Sequence, residues 1–178
     1  MEFIGDYFEK VTDEVQNFID NDEWDKAEKL LLKNTTLFPD EWWLFAKLSQ
    51  ANKGKRDYEK AYEYAKKAME INPHDHICMH EYADALLRRD ETEEGIKLIK
   101  KILKKGLNEL AYGKYGDGLM YAKATINDCT ALLGYAYFDL KDNKKAKYYF
   151  RKHLRNRRRG IYSDFSKMQI NKALKECD

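Results

Sequence analysis

Proline is almost missing from this 178-residue chain, which has two of them and nine glycines. That scarcity argues against a many-turned β sandwich, whose short strands need frequent turn residues. No apolar run approaches the roughly 18 residues of a membrane span. Residues Met1 to Asp6 hold no basic stretch followed by an apolar one, so no signal peptide is expected. Cys78, Cys129 and Cys177 are odd in number and form no CxxC pair. Free thiols in a reducing compartment fit them better than a disulfide framework. Catalytic signatures are missing too. The glycine-rich stretch Gly113–Gly118 is not followed by Gly-Lys-Ser/Thr, and neither HExxH nor a serine nucleophile elbow occurs. The expectation is a soluble, cytoplasmic, non-enzymatic protein with no cofactor and no membrane partner.

Charge and aromatic residues are abundant. Charged residues make up 36% of the chain, hydrophobic residues 43% and aromatic residues 13%, which favours a folded domain over disorder. A chain of about 150 residues hides roughly 70% of its unfolded surface, so a real core is available. The net charge of +2 conceals a strong asymmetry. Residues 1–41 carry four basic and twelve acidic side chains, whereas 143–163 carry nine basic ones and no acid. One end should attract anions and the other repel them.

Pro39 and Pro73 lie 34 residues apart, and aligning them aligns more. Trp24-Asp25-Lys26-Ala27 falls on Tyr58-Glu59-Lys60-Ala61, then on Thr92-Glu93-Glu94-Gly95, and the phrase returns as Asn143-Lys144-Lys145-Ala146. Upstream, a large apolar residue precedes a small one at Leu48-Ser49, Tyr82-Ala83 and Leu133-Gly134. Each unit reads as two amphipathic helices. In Tyr58–Ile71 the apolar stripe is Ala61, Tyr64, Ala65, Ala68 and Ile71. Asp40 and Asp75 are expected N-caps, and Asp90 with Glu93 an expected capping box. One such pair cannot bury its apolar face alone, so neighbouring pairs must stack.

A 34-residue period with these marks resembles the tetratricopeptide repeat. The repeats fall at 8–41, 42–75, 76–109 and 127–160, within a single domain. Asn34, Gly95 and the missing terminal proline of the fourth repeat depart from the family pattern. The resemblance implies an all-α fold: a right-handed αα superhelix of about four helix pairs. Residues 110–126 are an insertion that opens with a loop and lengthens the next helix from Leu119. Residues 163–176 form a capping helix with Ser163 as its N-cap, and Phe165, Met168 and Leu174 cover the last repeat.

The resemblance also implies a concave groove lined by the first helix of each repeat. Carried over residue by residue, the lining includes Gln16, then Trp43, Gln50 and Lys53, then His80, Asp84 and Arg88, then Asp128, Tyr135, Phe138 and Asp139. Trp43, Tyr135 and Phe138 are candidate anchors, although Trp43 is equally suited to packing between repeats. The carboxylates should select a protein or peptide of basic or polar character. The lysine and asparagine pair with which chaperone-binding members hold a terminal carboxylate has no counterpart here, so that ligand is not expected.

Two further clusters carry recognisable chemistry. His74, His76, Cys78 and His80 have some of the spacing of a zinc site, but His74 and His76 fall at a repeat junction where solvated side chains are the commoner outcome. No metal is expected there. Arg151, Arg155, Arg157, Arg158 and Arg159 form a basic patch beside Tyr148, Tyr149 and Tyr162. Clustered arginine is a footprint of phosphate recognition, and equally of a solvated helix end that complements the dipole. The main expectation is therefore a protein-interaction module acting as adaptor, chaperone or neutralising partner. The alternative is a nucleic-acid-binding protein that uses the arginines. The oppositely charged ends also leave room for head-to-tail self-association.

Overall fold

The computed structural model describes residues 2–177, with side chains from Tyr7 onward. Among the described residues there are nine helices and no strand. They are α1 (Glu2–Asp20), α2 (Trp24–Thr35), α3 (Trp42–Gly54), α4 (Tyr58–Ile71), α5 (His76–Leu87), α6 (Thr92–Tyr112), α7 (Leu119–Asp139), α8 (Asn143–Arg158) and α9 (Lys167–Glu176). Among the described residues no helix is long and apolar enough to cross a membrane. The chain divides into two compact units, residues 1–85 and 86–178.

One turn recurs along the chain. Asp22, Arg56, Asp90 and Lys141 take left-handed φ values of 57°, 63°, 63° and 60°. The first three are one period apart. The fourth comes one period plus 17 residues later, and 17 is the length of the segment 110–126. In each turn the following N–H reaches back five residues: Glu23 to Phe18, Asp57 to Asn52, Glu91 to Leu86 and Asp142 to Tyr137, at 2.8–3.0 Å. This is the Schellman closure, which satisfies orphan carbonyls at a helix end. Three-residue links then return the chain antiparallel, as α1 to α2, α3 to α4 and α7 to α8, while four residues separate α5 from α6.

The helix starts differ from expectation in three places. The α3 cap is Glu41, whose carboxylate accepts from the Trp43 amide, and not Asp40. Asp90 occupies the left-handed turn, so its side chain cannot cap α6, and Glu91 stands at the N-cap without a side-chain bond. The final helix begins at Lys167 with Ser166 as cap, in a reciprocal capping box with Gln169. Ser163, the expected cap, is buried and bonded elsewhere. Asp75 does cap α5, accepting from Ile77 at 2.7 Å and from Cys78 at 3.3 Å. Asp57 and Asp142 cap α4 and α8.

In the first unit, Val11, Val15 and Ile19 of α1 meet Ala27 and Leu31 of α2 and Leu44, Leu48 and Ala51 of α3. Ala46, Ala68 and Cys78 form a smaller cluster, flanked by Trp42, Met69 and Ile77. Asn34 is fully buried in place of the usual small residue. It is satisfied there: Nδ2 donates to the Leu30 carbonyl and Oδ1 accepts from the Tyr7 hydroxyl. In the second unit the deepest side chains are Ile99, Ile102 and Leu110 of α6, Leu133 of α7, Phe150 of α8 and Ile170 of α9. Gly134 lies against the Phe150 ring, which leaves no space for a Cβ. Helix α9 seals this unit through Ile170 and Ala173, while Met168, expected to cover it, is 79% exposed.

Two features concern the 110–126 segment. Helix α6 is broken at Gly106, whose φ of 77° and ψ of 167° are accessible only to glycine. The loop after it folds back on the helix end, with Asp117 and Gly118 amides bonding to the Leu110 and Ala111 carbonyls. Leu119 then opens α7 with outward-facing residues: Met120 is 67% exposed and Tyr121 59%.

Candidate functional site

The first helices of the acidic unit carry a connected polar row. Lys47 on α3 donates to Gln16 on α1 and to Gln50 on its own helix, both at 3.1 Å. Its ammonium also lies 5.9 Å from the Trp43 ring centre. One and a half turns further, Lys53 reaches α5, at 2.8 Å from Asp84 and 2.9 Å from Glu81. His80 Nδ1 is 3.7 Å from the other Glu81 oxygen. These side chains are largely buried, so the charges act at low effective dielectric. Burial alone would lower the Lys53 pKa, but Asp84 and then Glu81 drive it above the ordinary lysine range. Burial would raise Glu81, but Lys53 and His80 pull it below the ordinary carboxylate range. The trio is therefore charged, one ammonium between two carboxylates, and the formal charge of the row sums to zero once Lys47 is counted.

This alters the reading of the lining. Asp84 is expected from sequence to offer a negative charge to a basic partner, but Lys53, shared with Glu81, already pairs with it. Trp43 is half-buried and packs edge-on against Phe8 at 5.8 Å, so it serves the core and the row together. Gln50 is half-buried and belongs to the row. His76 is 1% exposed rather than solvated, and His74 is exposed. Among the described residues no three His, Cys, Asp or Glu side chains converge as a metal site.

In the basic unit the expected groove residues part company. Asp128 is 6% exposed and is held by the chain's own C-terminal segment. Its carboxylate accepts a short hydrogen bond from the Ser163 hydroxyl and a 3.1 Å bond from the Asp164 amide. Tyr135 is clasped between the Phe150 and Phe165 rings, at 5.1 and 5.8 Å, because segment 163–166 folds over it. Phe138 is half-buried with Lys141 above its ring. Arg88 and Asp139 are exposed; burial of the Asp139 carboxyl, then nearby Asp90, push its pKa up.

The Ser163 contacts superficially resemble a catalytic triad, since His153 Nε2 lies 2.8 Å from Ser163 Oγ. The order of bonding excludes that chemistry. A triad places the histidine between serine and carboxylate. Here the serine is in the middle and gives its proton to Asp128. Its oxygen then accepts from the Phe165 amide and from His153 Nε2–H. Every valence of Ser163 is used, and His153 is fully buried. Burial, reinforced by Arg157, pushes the His153 pKa down to about 4, so the ring is neutral at pH 7. The arrangement is a structural clasp that ties the C-terminal segment to α7 and α8. Sequence reasoning missed it because its members lie 10 and 35 residues apart with no motif between them.

The arginines fall on the outer side of α8. Ala146, Phe150 and His153 face inward, which leaves Arg151, Arg155, Arg158 and Arg159 exposed beside Lys144, Tyr148 and Lys152. Arg157 is different. It is half-buried, donates to the Ile161 carbonyl at 3.2 Å and lies over the Tyr162 ring. Residues 86–178 hold 22 basic and 12 acidic side chains, a balance of +10, which leaves −8 for residues 1–85.

Comparison with known proteins bears on the repeat. Residues 54–115 and residues 131–158 each match a family model described as tetratricopeptide repeat. Among solved structures, the chain is similar to the MamA protein at 14% identity and a TM-score of 0.57, covering 97% of this chain and 91% of that one. It is also similar to the MamA RS-1 ArsTM double mutant at 11% identity and a TM-score of 0.56, covering 83% and 74%. At such identities the likeness is one of fold. A search of curated proteins finds no match.

Proposed function

Because the chain belongs to the tetratricopeptide-repeat family, a family of all-α protein-interaction modules, we propose that it is a non-catalytic adaptor that holds a polypeptide on the first-helix side of its acidic unit. The observation that carries this reading is the polar row of Gln16, Lys47, Gln50, Lys53, Glu81 and Asp84 across α1, α3 and α5. A row whose charges already compensate one another does not demand a strongly basic ligand. It offers amide donors and acceptors at helical spacing beside the half-buried Trp43 ring, which suits the main chain of an extended polar segment. Lys53, Glu81 and Asp84 keep the surface in one arrangement before binding, which lowers the ordering cost of association.

The test is selection of peptides from a displayed library on the full chain. Affinities of the selected sequences are then measured against Lys47→Ala and Gln50→Ala variants. The reading expects a loss of about tenfold or more, equivalent to about 1.4 kcal/mol, with the helical circular dichroism unchanged. Ligands that bind both variants as tightly as the parent would place the working surface elsewhere.

A further inference from the structure

Helices α6, α7 and α8 bring one end of the basic unit together from three parts of the sequence. Helix α6 finishes at Tyr112, α7 starts at Leu119 and α8 finishes at Arg158. The 113–118 loop bonds back to Leu110 and Ala111, which seats the end of α6 beside the start of α7. On α7, Asn127 accepts from Asn156 of α8 at 3.1 Å and donates to the Tyr162 carbonyl at 3.3 Å. The first turns of α7 therefore rise about 10 Å past that pairing, since each residue adds about 1.5 Å.

Three aromatic rings are exposed at this end. Tyr112 is 71% exposed, Tyr121 59% and Tyr162 61%. Arg155, Arg158 and Arg159, at the C-terminal end of α8, are all exposed and, among the described residues, in no ion pair. They are arginines, whose planar forks match phosphate oxygens, whereas the first half of α8 carries lysines. A salt-bridged helix end would have placed acids among them, and residues 143–163 contain none.

We propose that this end of the basic unit binds single-stranded nucleic acid. The arginines take the backbone phosphates and Tyr112 and Tyr121 stack on bases, a combination that recurs in sequence-tolerant single-strand binding, while the Tyr162 ring stays under Arg157. An acidic peptide would satisfy the arginines but has no planar faces for the rings. A lipid surface would find only Leu119 and Met120 as an apolar wedge here, against three exposed rings that end in hydroxyls. The site lies entirely within residues 86–178 and does not depend on the polypeptide surface of the other unit.

The experiment is fluorescence anisotropy of the full chain with a labelled oligouridylate of about 12 nucleotides, between about 50 and 200 mM salt. Three phosphate contacts predict a slope of log affinity against log salt of about −2. The Arg155→Ala, Arg158→Ala, Arg159→Ala triple variant should flatten that slope. Arg157 is left intact because it bonds to the Ile161 carbonyl. The Tyr112→Ala, Tyr121→Ala double variant should bind at least tenfold more weakly with the slope unchanged, and a duplex of the same length should bind more weakly than the single strand. All substituted positions are exposed, and circular dichroism checks that the fold survives. The proposal is overturned by no binding at about 50 mM salt, by a tyrosine variant that binds like the parent, or by equal affinity for duplex and single strand. Binding to phosphatidylserine vesicles with the same arginine and tyrosine dependence, and none to the oligonucleotide, would also overturn it in favour of a lipid surface.

Discussion

His153 shows how one buried side chain can make stability depend on pH. Its ring sits fully buried between α8 and the C-terminal segment, donating to Ser163. The folded pKa is about 4, against an ordinary value of 6.5. A base with a depressed pKa contributes stability that is fully present above about 6.5 and is lost as the pH falls towards 4, because the unfolded chain takes up the proton first. The loss from this residue between about pH 7 and 5 amounts to about 2 kcal/mol. A glutamine at this position keeps an N–H donor without the titration. Urea unfolding at the two pH values should therefore show a smaller decrease for His153→Gln than for the parent. Equal decreases would mean that the ring is not held neutral. Neither Asp128 nor Ser163 announced this clasp in the sequence. Asp128 read as a groove carboxylate because its helical position allowed it, and only the return of the distant segment 160–166 consumed it.

Helix pairs in this fold meet where one side chain is small enough to admit a large neighbour. Gly134 on α7 receives the Phe150 ring of α8, and Gly54 at the end of α3 receives the Trp24 ring of α2. The small residue of Leu133-Gly134 was legible in the sequence because it recurs in phase, but its partner ring was not. A Cβ at position 134 would run into Phe150. Gly134→Ala should accordingly destabilise the basic unit by about 1–3 kcal/mol through overpacking, despite the better helix propensity of alanine. Thermal unfolding measures it, and an unchanged or higher Tm would show that the helices slide apart freely. Element ends were the least legible feature. The caps of α3 and α9 are Glu41 and Ser166, one and three residues beyond the expected Asp40 and Ser163. Asp90, with good capping chemistry, was taken by the left-handed turn.

At the scale of the whole molecule, two units of opposite charge share one chain, −8 against +10. Three free thiols sample both of them: Cys78 in the acidic unit, Cys129 and Cys177 in the basic one. Burial, then Asp75, raises the Cys78 thiol pKa, and burial, then Asp128, raises that of Cys129. Both should stay protonated and inert in the native protein. A thiol reagent mapped by mass spectrometry across a denaturant series should label Cys177 first, since it ends the last helix, and Cys78 and Cys129 only as their units unfold. Prompt labelling of Cys129 in buffer would contradict the core described for α7.

The sequence by itself determined the helical class, the repeat and the charge asymmetry. These rest on local periodicity, on small residues that recur every 34 positions and on composition, none of which needs a third dimension. The tertiary structure alone decided which charged and aromatic side chains remain available. Asp84 is ion-paired with a lysine 31 residues away, Asp128 is hydrogen-bonded by a serine 35 residues away, and Tyr135 is covered by Phe165. Conversely, Tyr112, Tyr121 and Tyr162 are 9 to 50 residues apart in the chain and reach one end of the unit only because α6, α7 and α8 pack side by side. Contacts at such separations carry no local signature: the energy that selects them is the burial of whole helix faces, and each polar group finds its partner only after that packing has set the distances.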